Sequence, residues 1–177
     1  MEHLIKNVIK SFEPILTSAV YDQGEIIFRE NQISTTIIIV KAGVLRSYYF
    51  VDGKDVTAHF AMGYGLIGAA DSLIKGKKSL YTIEAVEKTE VFLLDYSEME
   101  IFLEKNPHLE RLARQVSQVL YIDLVERLEG MTFLSAKERY DHLLSRYPDL
   151  TQRLNLGHIA SYLGITQETL SRVRGLK

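Results

Sequence analysis

The chain has 177 residues, 46% of them apolar and 25% charged, with a net charge of −2 and no cysteine. That length suits one large or two small globular domains, the composition argues against disorder, and the missing thiols exclude disulfides, thiolate zinc sites and cysteine-ligated iron–sulfur clusters. Residues 131–177 carry seven Lys/Arg against four Asp/Glu, and residues 1–130 carry 14 against 19; a basic end on an acidic body is what a phosphate-binding module joined to a module of another kind should show.

The amino terminus, Met1 to Glu13, is amphipathic and charged without a signal-peptide core, and no apolar run approaches the roughly 20 residues of a membrane span. A cytoplasmic protein without a membrane partner is expected. Between Val20 and Asp95 the pattern is that of short strands: Glu25–Phe28, Thr36–Lys41, Val44–Phe50, Val56–Phe60, Tyr81–Val86 and Glu90–Leu94 are rich in β-branched and aromatic residues. Gly24, Ala42-Gly43, Asp52-Gly53 and the Gly63/Gly65 pair punctuate them, and Asp-Gly between apolar runs signals a hairpin. Many short strands at regular spacing predict an antiparallel barrel, sandwich or jelly roll.

After Asp95 the period becomes helical. Tyr96 to Lys105 reads as a short helix, and Pro107 opens a longer one to about Leu128. Along it Leu109, Leu112, Val116, Val119, Leu120, Leu124, Val125 and Leu128 recur at spacings of three and four, a stripe broad enough to face both its own barrel and a second copy. A break is expected at Gly130-Met131-Thr132. Ser135-Ala136-Lys137-Glu138 is a capping box, so a new helix begins near Ser135, carries Tyr140, Leu143 and Leu144 inward and ends before Pro148. With it, residues 131–177 are expected to form a three-helix unit.

Leu156–Gly164 followed by Ile165–Arg174 reads as a helix-turn-helix. Ala160 is small enough for the close crossing, Gly164 tolerates the turn, and Ile159, Leu163, Ile165, Leu170 and Val173 fall where a shared core needs them. Asn155 and Thr166 are placed to cap the two helices. Gln167, Glu168, Ser171, Arg172 and Arg174 are left on the outer face of the second helix, where Arg can pair with guanine, Gln with adenine and Glu with cytosine. The competing reading is a surface hairpin with solvated charges.

An antiparallel β domain, a long striped helix and a carboxy-terminal helix-turn-helix, in that order, resemble the Crp/Fnr family of bacterial transcription regulators. The words that carry the resemblance are Gly24-Glu-Ile-Ile-Phe28, Ile38-Ile-Val-Lys-Ala-Gly43-Val-Leu45, Asp52-Gly-Lys54, Leu66-Ile-Gly68, Asn106-Pro107 and Ile159-Ala-x-x-x-Gly164 to Arg174. It implies an α+β chain: an antiparallel double-stranded β-helix (jelly-roll) effector domain over 1–105, a dimerisation helix over 106–130, and a helix-turn-helix domain over 131–177. As the sequence ends at Lys177, no full wing is expected after the recognition helix. The resemblance further implies a homodimer on a palindromic operator in double-stranded DNA, with RNA polymerase as a possible further partner. It puts Gln167, Glu168 and Arg172 at base-reading positions and Thr166, Thr169 and Asn155 at phosphate contacts. The family's usual leading Arg is Gln167 here, so the preferred operator should differ at that base pair.

Cyclic-nucleotide-binding relatives carry Gly-Glu, Arg-Ser and Thr-Ser pairs where this chain has Gly68-Ala69, Ser79-Leu80 and Leu124-Val125. These six residues mark the expected effector pocket, and without its ribose acceptor and phosphate clamp cyclic AMP is not the expected effector. Lys77 and Lys78 could meet an anion near the old phosphate position, though a solvated loop is the favoured reading. Haem on His59 or His108 alone is disfavoured, and the five histidines show no ligand spacing, so no cofactor or metal is expected. Two other function classes remain: a cupin-like small-molecule or metal-dependent enzyme, opposed by His59 being the only histidine between Val20 and Asp95, and a protein-interaction module using the helix-turn-helix. No catalytic residue is expected.

Overall fold

The computed structural model describes residues 1–175. They divide into two compact units, Met1–Tyr49 with Ala58–Val119, and Phe50–Thr57 with the chain from Leu120 onward.

The first unit is a jelly roll of two four-stranded antiparallel sheets. One has β1 (Thr17–Tyr21), β8 (Thr89–Asp95), β3 (Thr36–Ala42) and β6 (Leu66–Ile67) side by side; the other has β2 (Ile26–Phe28), β7 (Thr82–Ala85), β4 (Val44–Val51) and β5 (Lys54–Met62). The alternation of side chains along β3 builds two cores. Ile38 and Val40 join Leu45, Ile67, Ile83 and Val91 in one, while Ile39 joins Leu94 in the other with Ile5, Val8 and Phe12 of the amino-terminal helix α1 (Glu2–Phe12). Strands buried on both faces need apolar residues at every position. That is why Ile37–Val40 and Val91–Leu94 read as continuous runs.

Two further helices reach the second core: α3 (Tyr96–Lys105), through Met99, Phe102 and Leu103, and the start of α4 (Glu110–Phe133), through Leu112 and Val116, with Leu109 just before it. Asp95 caps α3, accepting the amides of Ser97 and Glu98 at 2.9 and 3.1 Å. Between β6 and β7 lies the short helix α2 (Ala70–Lys75), closed by Gly76 in the left-handed conformation. Gly43, at φ 97°, has no alternative residue: a Cβ there would lie 2.5 Å from Thr89 Oγ1 and 2.6 Å from Thr89 Cα.

On β4 and β7, Arg46 and Glu84 are cross-strand partners. Arg46 Nε and Nη2 both donate to Glu84 Oε1, at 2.8 and 2.7 Å, with the two side chains 3% and 16% exposed. The guanidinium also covers the Tyr48 ring, 4.2 Å from its centre.

The second unit contains the end of α4, then α5 (Ala136–Arg146), α6 (Leu150–Arg153), α7 (Leu156–Leu163) and α8 (Gln167–Gly175). Tyr140, Leu143, Leu150, Ile159, Ala160, Leu163, Leu170 and Val173 are buried. The expected break at Gly130 is absent: α4 continues to Phe133, and Gly130 accepts the amide of Leu134 at 3.1 Å. A glycine inside a helix costs about 1 kcal/mol relative to Ala, too little to end one. The expected three helices are four, since Leu150–Arg153 adds a single turn. The expectation of a missing wing turns on Leu176 and Lys177, which lie outside the described residues.

Ser135 and Glu138 form the expected capping box. Ser135 Oγ accepts the Glu138 amide at 3.3 Å, and Glu138 Oε2 accepts the Ser135 amide at 2.8 Å and its hydroxyl at 2.7 Å. These bonds from the Ser135 side chain and backbone hold the Glu138 carboxyl below its ordinary range. Ser135→Ala is expected to destabilise the helical unit by about 1 kcal/mol in urea denaturation; an unchanged midpoint would show that the cap contributes nothing to folding.

Candidate nucleic-acid interface

Local chemistry fixes the turn between α7 and α8. Asn155 Oδ1 accepts the Gly157 amide at 2.7 Å at the start of α7, and Gly164 closes it in the left-handed conformation, with Ile165 N donating to Ala160 O at 3.0 Å. Thr166 Oγ1 then accepts the Thr169 amide at 3.2 Å, capping α8. Leu170 and Val173 anchor α8 on its inner side, 1% and 7% exposed.

That anchoring leaves Gln167, Glu168, Ser171, Arg172 and Arg174 exposed. Arg172 Nη2 donates to Thr169 Oγ1 at 3.2 Å, and the Thr166 and Thr169 hydroxyls lie 3.2 Å apart. The Glu168 carboxyl is held below its usual range, first by its own backbone amide, then by the Thr166 hydroxyl and by Arg172. Thr166, Thr169, Glu168 and Arg172 therefore form one connected polar surface. Gln167 behaves differently: it leans back over α7, where a Cβ on Gly157 would sit 2.8 Å from its Nε2 and 3.1 Å from Asn155 Oδ1. An exposed donor, a carboxylate acceptor and hydroxyls along one helix face can pair with base edges and phosphates alike.

Of the six residues expected to line an effector pocket, Gly68, Ala69, Ser79 and Leu80 lie in the first unit. Ala69 and Ser79 are fully buried, and Gly68 is packed so that a Cβ would lie 3.3 Å from both Leu73 Cδ1 and Thr36 O. Ser79 is engaged by the chain itself: its hydroxyl donates to Asp71 Oδ1 at 3.3 Å and accepts the Tyr81 amide at 3.1 Å, while its amide donates to Gln32 O at 2.9 Å. Leu80 points outward, 68% exposed, and Leu124 and Val125 belong to the second unit. Lys77 and Lys78 are exposed.

A cavity of about 420 Å³ that the sequence reading missed lies within the second unit, between the end of α4, α5 and α7. Arg139 crosses it, donating from Nε to Leu163 O at 3.1 Å and from Nη1 to Leu134 O at 2.7 Å. Arg146 pairs with Asp123 and faces the Tyr147 ring at 5.5 Å, and Arg127 lies 4.1 Å from the centre of the Tyr162 ring. Burial pushes the Tyr147 phenol above its usual range. The one signal in the sequence was Arg139, His142 and Arg146 at spacings that share one face of α5.

Among the described residues no group of three or more His, Asp or Glu is arranged to hold a metal ion, and no helix is long and apolar enough to cross a membrane. The tip of the β4–β5 hairpin belongs to the second unit: Thr57 N donates to Ser161 Oγ on α7 at 2.9 Å, and that hydroxyl lies 3.4 Å from Asp55 O.

Comparison with known proteins gives this architecture its relatives. Residues 19–106 match the family described as cyclic nucleotide-binding domain. The chain is 23% identical over 166 residues to the transcriptional activator protein FnrA of Stutzerimonas stutzeri, a match covering 85% of this chain and 66% of FnrA, so it spans just under two thirds of that relative's length. Among solved structures, a CooA mutant from Carboxydothermus hydrogenoformans superposes with a TM-score of 0.73 at 19% identity, covering 97% of this chain and 82% of that one. FixK2 from Bradyrhizobium japonicum gives 0.72 at 23% identity, covering 91% and 83%. With the jelly roll, the long helix and the helix-turn-helix in their order, the chain is similar to the Crp/Fnr regulators.

Proposed function

We propose that the protein is a homodimeric, sequence-specific DNA-binding transcription regulator of the cytoplasm, and not an enzyme. Residues 1–105 serve as the effector domain, 106–130 join two copies, and 131–177 bind a palindromic operator, with RNA polymerase as a downstream partner. The observation that carries this reading is the outer face of α8, where Glu168, Ser171 and Arg172 are exposed while Leu170 and Val173 hold the helix to its unit. Thr166, Thr169 and Asn155 take phosphates at the edge of the groove, Arg174 supports them, and Gln167 works beside Asn155 at the start of α7. The relatives named for transcriptional activation agree with it. Cyclic AMP is not the effector, since an Ala and a buried, fully engaged Ser stand at two of the polar positions such a ligand needs.

Arg172→Ala is expected to weaken operator binding by about 1–3 kcal/mol and to relax base preference at one position in each half-site. The operator would be selected from a random DNA pool and titrated by mobility shift. Equal binding and an unchanged consensus in the variant would remove Arg172 from the interface, and a pool with no enriched sequence would sink the regulator reading.

A further inference from the structure

We propose that the cavity between the end of α4, α5 and α7 binds a small aromatic carboxylate that serves as a second effector, outside the jelly-roll effector domain. Its role as effector rests on the regulator reading above; the binding site does not.

The volume of about 420 Å³ lies within the roughly 300–1,000 Å³ usual for small-molecule sites. The floor is apolar, formed by the buried Leu143 and Leu163. Gly130 leaves the α4 side open: the nearest atom to a Cβ placed there is Leu134 Cδ1, 3.8 Å away. On α5, Arg139, His142 and Arg146 line the same cavity. The two carbonyls held by Arg139 fix its guanidinium while using two of the five N–H donors an Arg carries. Tyr147 and Tyr162 add aromatic walls, each already facing a guanidinium.

Charge narrows the ligand. The lining carries three guanidiniums, Arg127, Arg139 and Arg146, against three acids, Asp123, which pairs with Arg146, and the exposed Glu126 and Glu129, so no net positive charge favours a multiply charged phosphate. A single carboxylate suits Arg139 and His142, and a flat ring suits the leucine floor and tyrosine walls. The site also sits where an effector needs to act. A ligand wedged against Gly130 and Leu163 contacts both α4 and the helix that carries the turn into α8, and so can shift the balance between two poses of the helix-turn-helix.

The test titrates the full chain with benzoate and indole-3-acetate, with benzylamine as the oppositely charged control, followed by amide NMR. Saturable shifts centred on Gly130, Leu143, Tyr147 and Leu163 are expected for the carboxylates below about 5 mM, and none for the amine. Gly130→Leu fills the cavity from a helical position and should weaken binding about tenfold or more; His142→Gln, at an exposed site, should weaken it several-fold. No saturable carboxylate binding, equal binding of benzylamine, shifts confined to the jelly roll, or unchanged affinity in both variants would overturn the site. Operator titration with and without benzoate separates the two readings. Operator binding indifferent to a bound carboxylate removes the effector role, whereas carboxylate binding without any operator leaves the site standing and sinks the regulator.

Discussion

Replacing Leu124 and Leu128 together by Asp is expected to convert the protein into a folded monomer with little operator affinity. The apolar stripe of α4 changes character along its length. Leu112 and Val116 are packed into the jelly roll's second core, whereas Tyr121, Leu124 and Leu128 are 65%, 64% and 66% exposed. Their spacing of three and four puts them on one side of the helix. Burying a leucine against a second copy stabilises the pair by about 1.5–3 kcal/mol per side chain, and two carboxylates facing their own copies reverse that gain and add repulsion. Sedimentation equilibrium should show half the wild-type mass. Because a palindrome is held through two linked contacts, loss of the link should weaken operator binding by about 10²–10⁴-fold. Circular dichroism controls for folding, and a double variant that still sediments as a dimer would remove α4 from the interface.

Glu84→Ala is expected to destabilise the jelly roll by about 3–5 kcal/mol, because it withdraws the carboxylate from an Arg46 side chain only 3% exposed. Glu84→Gln should cost less, since the amide oxygen still accepts from the guanidinium. Arg46→Met with Glu84→Leu should recover most of the loss, because replacing both charges removes the burial penalty along with the attraction. Urea denaturation followed by circular dichroism ranks the three. If the single Ala variant and the apolar double variant lose the same stability, packing against Tyr48 and not charge holds this part of the sheet.

What could be read from the amino-acid sequence was whatever depends on close neighbours in the chain. Ser135 with Glu138, Asn155 with Gly157, and Thr166 with Thr169 each span two or three residues, and each cap formed as its spacing required. The doubly buried strands β3 and β8 were legible because burial on both faces leaves an unbroken apolar run. By contrast β1 exposes Thr17, Ser18 and Val20, so its alternation was too weak to register, and α6 is a single turn held by Leu150. The lean of Gln167 depends on the missing side chain of Gly157, ten positions earlier on another helix. The cavity depends on how residues between Asp123 and Leu163 pack. The first leaves no periodic trace, and the second leaves only the spacing of Arg139, His142 and Arg146 on α5.

The bond from Thr57 to Ser161 bears on how such proteins can be recombined. A buried backbone amide of the hairpin tip finds its acceptor on α7, although 104 positions separate the two residues. The helix-turn-helix unit is thus not severable by one cut in the chain. A graft that transplants residues 120–177 of this chain onto another jelly roll leaves Ser161 facing a foreign hairpin tip, so such a graft should carry the stretch from Phe50 to Thr57 along with the helices.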